Sequence, residues 1–285
     1  MKLTLTRDAE EFAARTSDLF ESRIECNLIA TVCAGVLAGH YPQSAPLFAY
    51  GTENGETGFA ALRTPPWNML VTDQSAPIED ELVARWLEED PGVSGVEGPT
   101  GAARAVASAW ARATGGSTRQ LVRELTYVLE SVTDPPRPAP GSLRLARRDE
   151  RELMLEWMRA FGQETAIFTD ERAAIIVDAR EAQRGLWVWD QDGPVSMVST
   201  APLVAGTVRV GPVYTPPERR RRGYAGTAVA TASRQALERG ARRCMLAADS
   251  TNPTSNKIYM EIGYRQLGEH EEWEFVGSGV LGGGE

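Results

Sequence analysis

The stretch Thr207-Val-Arg-Val-Gly-Pro-Val-Tyr-Thr-Pro-Pro-Glu-Arg-Arg-Arg-Arg-Gly-Tyr-Ala-Gly226 decides the fold of this chain. Val208, Val210, Val213 and Tyr214 have the β-branched and aromatic character of a buried strand. Pro216 and Pro217 end it, because proline cannot donate to a sheet ladder. Beyond the arginines and Gly223, the residues Ala225, Ala228, Val229, Ala232, Ala236 and Leu237 recur at helical spacing, and Gly240 is placed to close the helix. Strand, tight basic turn and helix N-terminus together make an anion site, since free N–H groups point out of the turn and the helix dipole favours negative charge there. Gly223 and Gly226 keep the turn bare enough for a phosphate to reach the backbone. It is not a Walker loop, because no Gly-Lys-Ser/Thr follows, and the three-glycine spacing of a dinucleotide fingerprint is missing.

Downstream, Arg243-Cys-Met-Leu-Ala-Ala248 reads as a second short buried strand. Asn252-Pro253 then starts a helix, with Asn as the cap and Pro in the first helical position. Ser255 and Tyr259 fall on one face of that helix, and Gly263 ends it. The order Arg220-x-x-Gly223-x-Ala225 resembles the Gln/Arg-x-x-Gly-x-Gly/Ala turn of the GNAT superfamily of N-acetyltransferases. The run from Asn252 through Ser255 and Tyr259 to Gly263-Tyr264 is similar to that family's second motif. Two motifs in the right order, each on its expected element, carry the resemblance.

Composition agrees. The chain has 285 residues, 42% hydrophobic and 24% charged, enough for two cores of ordinary size. Its net charge of −9 argues against a nucleic-acid partner. Locally the balance reverses, with eight arginines against two glutamates between Pro216 and Arg243, as a polyanionic ligand requires. Three cysteines, Cys26, Cys33 and Cys244, match neither a disulfide framework nor a zinc spacing, and two histidines are too few for a histidine-based metal site. Cys26 and Cys33, seven apart on an apolar helical stretch, read as core residues. No secretory segment or apolar run of membrane-spanning length is present, so the expectation is a cytoplasmic protein without a membrane partner, compatible with a homodimer.

The organisation reads as two halves. Residues 135–141 lie in Asp134-Pro-Pro-Arg-Pro-Ala-Pro-Gly141, a stiff extended linker between a 1–134 domain and a 142–276 domain, with a loose tail over 277–285. In the second half a strand at Leu143 leads to a helix capped by Asp149, a helix over about Asp170 to Arg184, a hairpin (Leu186–Trp189, Val195–Thr200), then the two motifs. The order β-α-α-β-β-β-α-β-α-β is that of the GNAT core, an α+β fold whose mixed central sheet is flanked by helices. The first half repeats it weakly. A strand at Leu3–Thr6 and helices near Ala9–Phe20 and Arg23–Leu37 lead into strands around Leu47–Tyr50, Phe59–Arg63 and Asn68–Val71. Helices Glu79–Glu89 and Thr100–Thr114 and a long strand Thr118–Val132 follow. Two GNAT units in tandem are expected, the N-terminal one degenerate. Its turn Val71-Thr-Asp-Gln-Ser75 is acidic and would repel a pyrophosphate.

The resemblance implies an acetyl-CoA-dependent N-acetyltransferase acting on a primary amine of a small molecule or peptide by direct attack in a ternary complex. Acetyl-CoA is its cosubstrate, and no metal is called for. Tyr259 would protonate the departing thiolate. Val213, Tyr214 and Thr215 would pair with the pantetheine arm. Arg220, Arg221, Arg222, Gly223, Tyr224, Ala225 and Gly226 would cradle the pyrophosphate, with Asn252 and Ser255 near the pantetheine. The central strands between Val195 and Val213 lack the glutamate that many members use as base, which leaves Glu164, between the first two helices, as the candidate. The alternative is a non-catalytic acyl-CoA-binding sensor or subunit.

Overall fold

A computed structural model describes residues 1–41, 44–165 and 167–277. All but Gly277 of the tail expected over 277–285 lies outside the described residues. The described residues form two compact units, one within 1–124 with 268–277, the other within 125–267.

In the first unit, strand β1 (Lys2–Thr6) is followed by helices α1 (Ala9–Ser22) and α2 (Asn27–Leu37). An antiparallel run of β2 (Leu47–Glu53), β3 (Glu56–Arg63) and β4 (Met69–Val71) comes next. Helix α3 (Glu79–Glu89) crosses over to β5 (Gly95–Pro99), which pairs parallel with β4. Helix α4 (Thr100–Thr114) and β6 (Ser117–Leu129) close the segment. Alternation along β2 sorts the two faces. Phe48 packs on Phe12 of α1, while Leu47 and Ala49 join the core of Trp86 and Trp110 beneath α3 and α4.

The second unit runs β7 (Ser142–Leu145), α5 (Arg151–Thr165), α6 (Asp170–Ala182), β8 (Leu186–Asp190), β9 (Pro194–Thr200) and β10 (Thr207–Tyr214). Helix α7 (Tyr224–Glu238), strand β11 (Arg243–Asp249), helix α8 (Pro253–Glu261) and the start of β12 (Arg265–Val276) complete it. Strands β7 to β10 form an antiparallel meander, and β11 joins β10 in parallel. Trp187, Trp189 and Val198 pack under Ala228, Val229 and Ala232 of α7. Val188, Met197 and Tyr214 pack on the other face under Met154, Trp157 and Met158 of α5.

Four sequence expectations need correction. Residues 125–134, placed in the N-terminal half, pack with the second unit: Tyr127 and Leu129 belong to its core, and Thr133 N–H donates to Ile262 O. The chain's last strand goes the other way, since β12 pairs with β5 over His270 to Glu274 in the first unit. The proline-rich stretch is extended but docked. Ala139 is buried, its N–H donates to Thr227 Oγ1 at 2.9 Å, and Pro140 O accepts the Trp189 indole N–H at 2.8 Å. Asp149 does not cap α5. A short 3-10 turn over Arg148–Glu150 precedes the helix, and the Glu150 carboxylate accepts the Arg147 N–H at 2.8 Å. Sequence reading also missed β5, whose Gly-Val-Glu-Gly-Pro composition is poor in strand formers.

All three cysteines are buried, and burial raises Cys26 and Cys244 to about 12 and Cys33 to about 11. Glu271, on β12, is fully enclosed and held by Arg104 of α4 through bonds of 2.6 and 2.8 Å, with the Trp273 indole at 3.0 Å. Burial pushes its carboxyl up, but the hydrogen bonds from Arg104 and Trp273 outweigh it and hold Glu271 below the ordinary 4.5. A depressed folded value contributes stability above the unfolded pKa and loses it as pH falls through the folded one. Arg104→Met should therefore lower the midpoint of urea unfolding at pH 7. The deficit should shrink as pH falls below 4.5; a deficit independent of pH would contradict this role.

Candidate active site

The end of β10 is shaped by a bulge. Val210 pairs with Thr200 and Val213 with Val198, so Gly211 and Pro212 together face the single residue Ser199. Pro212 has no N–H to give a ladder. Ser199, fully buried, donates to Gly211 O at 2.6 Å and satisfies the carbonyl that the bulge strands. Ser196, also fully buried, donates to Tyr214 O at 3.0 Å and meets Thr215 Oγ1 at 2.8 Å. On its other side β10 pairs with β11 through Thr207, Val208 and Arg209, and among the described residues the two parallel strands form no pair beyond that point.

The chain then turns. A 3-10 turn over Pro217–Arg219 leads to Arg221 and Gly223, both left-handed at φ +64° and +83°, and α7 starts at Tyr224. Its N-cap has no side-chain bond, and among the described residues no acceptor meets the N–H groups of Arg221 through Gly226. Six donors at a helix start, with Arg221 and Arg222 exposed beside them, suit an anion. The buried Tyr224 hydroxyl is tied to Gln191 Oε1, and Thr227 Oγ1 donates to Gly223 O at 2.9 Å. Gly223 is required on two counts: its positive φ, and Arg137 O, which would lie 2.9 Å from a Cβ. At Gly226 a Cβ would meet only Ile258 Cγ2, at 3.2 Å, where α8 closes on α7.

Asn252 caps α8 by accepting the Ser255 N–H at 3.1 Å. Tyr259 is half-buried, its ring 6.2 Å from that of Tyr127 and 6.1 Å from that of Tyr264. Asn256 went unnoticed in the sequence. It is buried, accepts the Tyr127 hydroxyl at 3.1 Å and donates to Asp249 O at 3.1 Å, so it fastens α8 to β6 and β11. An amide in the second turn of a helix, past any capping position, was the available signal.

Glu164, expected between the first two helices, lies instead within the last turn of α5, half exposed, and it does not stand alone. Arg220 Nη2 is 2.7 Å from each of its oxygens, and the Tyr214 hydroxyl donates at 3.3 Å. Burial first, then the Glu164 charge, raises the Tyr214 phenol above its usual value, which keeps it a donor. The structure thus gathers Glu164, Tyr214, Thr215 and Arg220 into one contact set, with Val213 one residue back on β10. Among the described residues no group of three His, Cys, Asp or Glu side chains could hold a metal ion, and no helix is long and apolar enough to cross a membrane.

The matching place in the first unit carries the opposite charge. After β4, helix α3 opens with Glu79, Asp80 and Glu81. The Glu79 carboxylate accepts the Ile78 N–H at 2.9 Å and Gln74 Nε2 at 2.8 Å, so an acid held at this helix start sets it against a second anion.

Residues 149–264 match the model of the Acetyltransferase (GNAT) family. A GCN5-related N-acetyltransferase from Sphaerobacter thermophilus aligns with 98% of this chain and 98% of its own at TM-score 0.59 and 15% identity. A Drosophila protein aligns with 97% and 99% at TM-score 0.67 and 14% identity. A tandem GNAT protein from the clavulanic acid biosynthesis pathway aligns with 98% and 99% at TM-score 0.56 and 14% identity. At these identities the likeness is one of fold. No curated protein sequence matches the chain.

Gly223→Ala should lower stability by about 1–2 kcal/mol, from left-handed strain and the Arg137 carbonyl. Gly226→Ala should stay within about 1 kcal/mol of wild type, because helix propensity offsets the Ile258 contact. Thermal unfolding of the two variants measures the contrast, and equal losses would contradict the assigned difference.

Proposed function

The chain carries a GNAT-family acetyltransferase domain in its C-terminal half, within a tandem GNAT fold, and from that premise we propose that it transfers the acetyl group of acetyl-CoA to a primary amine of a small molecule or peptide. The observation that carries the reading is the end of the β10–β11 pairing at Arg209 and Met245 beside a turn with six unpartnered N–H groups. An extended pantetheine arm can take the edge that β11 leaves, and the pyrophosphate can take the turn. The second unit is the one with this opening; the first, with Glu79 in its helix start, serves as a non-binding partner unit.

The chemistry asks little covalent work of the protein. A free alkyl amine has a pKa of about 10.4 and must lose a proton to attack. Glu164 has three of its roughly four lone-pair sites engaged, which leaves one to receive the incoming ammonium and pass its proton on, directly or through water. As the carbonyl becomes an oxyanion, a backbone N–H of Val213 to Thr215 stabilises it. Tyr259 protonates the leaving thiolate, whose thiol pKa of about 8.5 makes unassisted departure slow near neutral pH. Holding amine and thioester together supplies much of the remaining acceleration.

Tyr259→Phe keeps the ring between Tyr127 and Tyr264 and removes the hydroxyl. With acetyl-CoA, a panel of amines and thiol release as readout, kcat should fall about 10²–10⁴-fold while acetyl-CoA affinity changes little. Full activity in the variant would show that another group gives the proton. Gly223→Glu should abolish acetyl-CoA binding by calorimetry. Tight acetyl-CoA binding with no turnover on any amine would favour a sensor over an enzyme.

A further inference from the structure

Arg220 opens the basic turn's motif, yet its guanidinium points back into the chain. Nε donates to Thr215 O at 2.8 Å, and Nη2 reaches both oxygens of Glu164 at 2.7 Å. The group also sits 5.6 Å over the Tyr214 ring, which packs on Trp157 of α5 at 6.4 Å between centroids. One side chain therefore joins the end of α5, the end of β10 and the start of the turn. Ser196 holds the other side of the same strand end through Tyr214 O and Thr215 Oγ1. A phosphate ligand has to present its donors outward, and here the Nε and one Nη are directed at a carbonyl and a carboxylate. Only a rigid planar fork can serve both at once; a lysine in its place could satisfy one.

Resting on the acetyltransferase reading above, we propose that Arg220 is a positioning residue for acyl transfer and not a phosphate ligand. By bracing the Thr215 carbonyl against Glu164 it fixes the strand end that lies along the acyl arm. The phosphates are left to the backbone N–H groups of Arg221 through Gly226.

The two roles separate when the phosphates are removed from the ligand. Acetyl-CoA is titrated by calorimetry, and S-acetylpantetheine, which has the same thioester arm without phosphate, by NMR shifts that read millimolar affinities. Both are measured on the full chain as wild type, Arg220→Met, Arg220→Lys, Glu164→Gln and the Arg220→Met/Glu164→Gln double variant, with circular dichroism confirming each fold. Arg220→Met should weaken both ligands by the same factor, about 3–10-fold, as expected for a lost charged tie. Glu164→Gln should do likewise, and the double variant should be no worse than either single, since the two act as one unit. Arg220→Lys should restore only part of the loss. Loss of acetyl-CoA affinity by tenfold or more with S-acetylpantetheine unchanged would make Arg220 a phosphate ligand and overturn the proposal. A lower melting temperature with both affinities intact would reduce it to a structural tie and also overturn it. Wild-type protein that binds neither compound would overturn the acetyltransferase reading itself, and the proposal with it.

Discussion

The second unit is organised around one constraint: β10 is irregularly paired along both of its edges before it ends. Gly211 and Pro212 opposite Ser199 interrupt one ladder, and the other ladder stops at Arg209 and Met245. The two parallel strands form no pair over the last residues of β10. The turn, the start of α7 and the end of α5 all gather at that stretch. A buried carbonyl without a donor costs about 1–3 kcal/mol, so the bulge is tolerable only because Ser199 supplies one.

The strand end is stiffened by polar ties and not by apolar packing alone. Ser196 holds Tyr214 O, Arg220 holds Thr215 O, and Glu164 takes donors from Arg220 and Tyr214. Individually, half-exposed ion pairs contribute little to stability. Their value here is geometric, because they set where one short backbone segment lies relative to a turn that has been left unsatisfied. The first unit shows the contrasting solution. There α3, which connects the parallel strands β4 and β5, opens with Glu79, Asp80 and Glu81, whose charge opposes an anion.

Much of this was legible in sequence where the signal is local. Proline ended β10, glycine at positive φ opened α7, Asn252 capped α8, and alternation placed the strands of both meanders. What failed did so for want of local signal. The strand β5 consists of Gly-Val-Glu-Gly-Pro and exists because β4 and β12 pair with it. The proline-rich stretch has linker composition, yet Thr227 and Trp189 hydrogen-bond to it and bury Ala139. Asn256 looked like any polar helical residue until Tyr127, 129 positions earlier, reached it.

The sequence by itself determined most of the elements, their kinds and the basic turn, because periodicity, prolines and glycines act over a few residues. Only the tertiary structure decided the unit boundaries, which send residues 125–134 into the second unit and the end of β12 into the first. It alone decided that Arg220 and Glu164, 56 positions apart, share one ion pair. Strand partnership and side-chain pairing are choices between distant segments. They are settled by which buried donors and acceptors can all be satisfied at once, a condition that no short window of sequence contains.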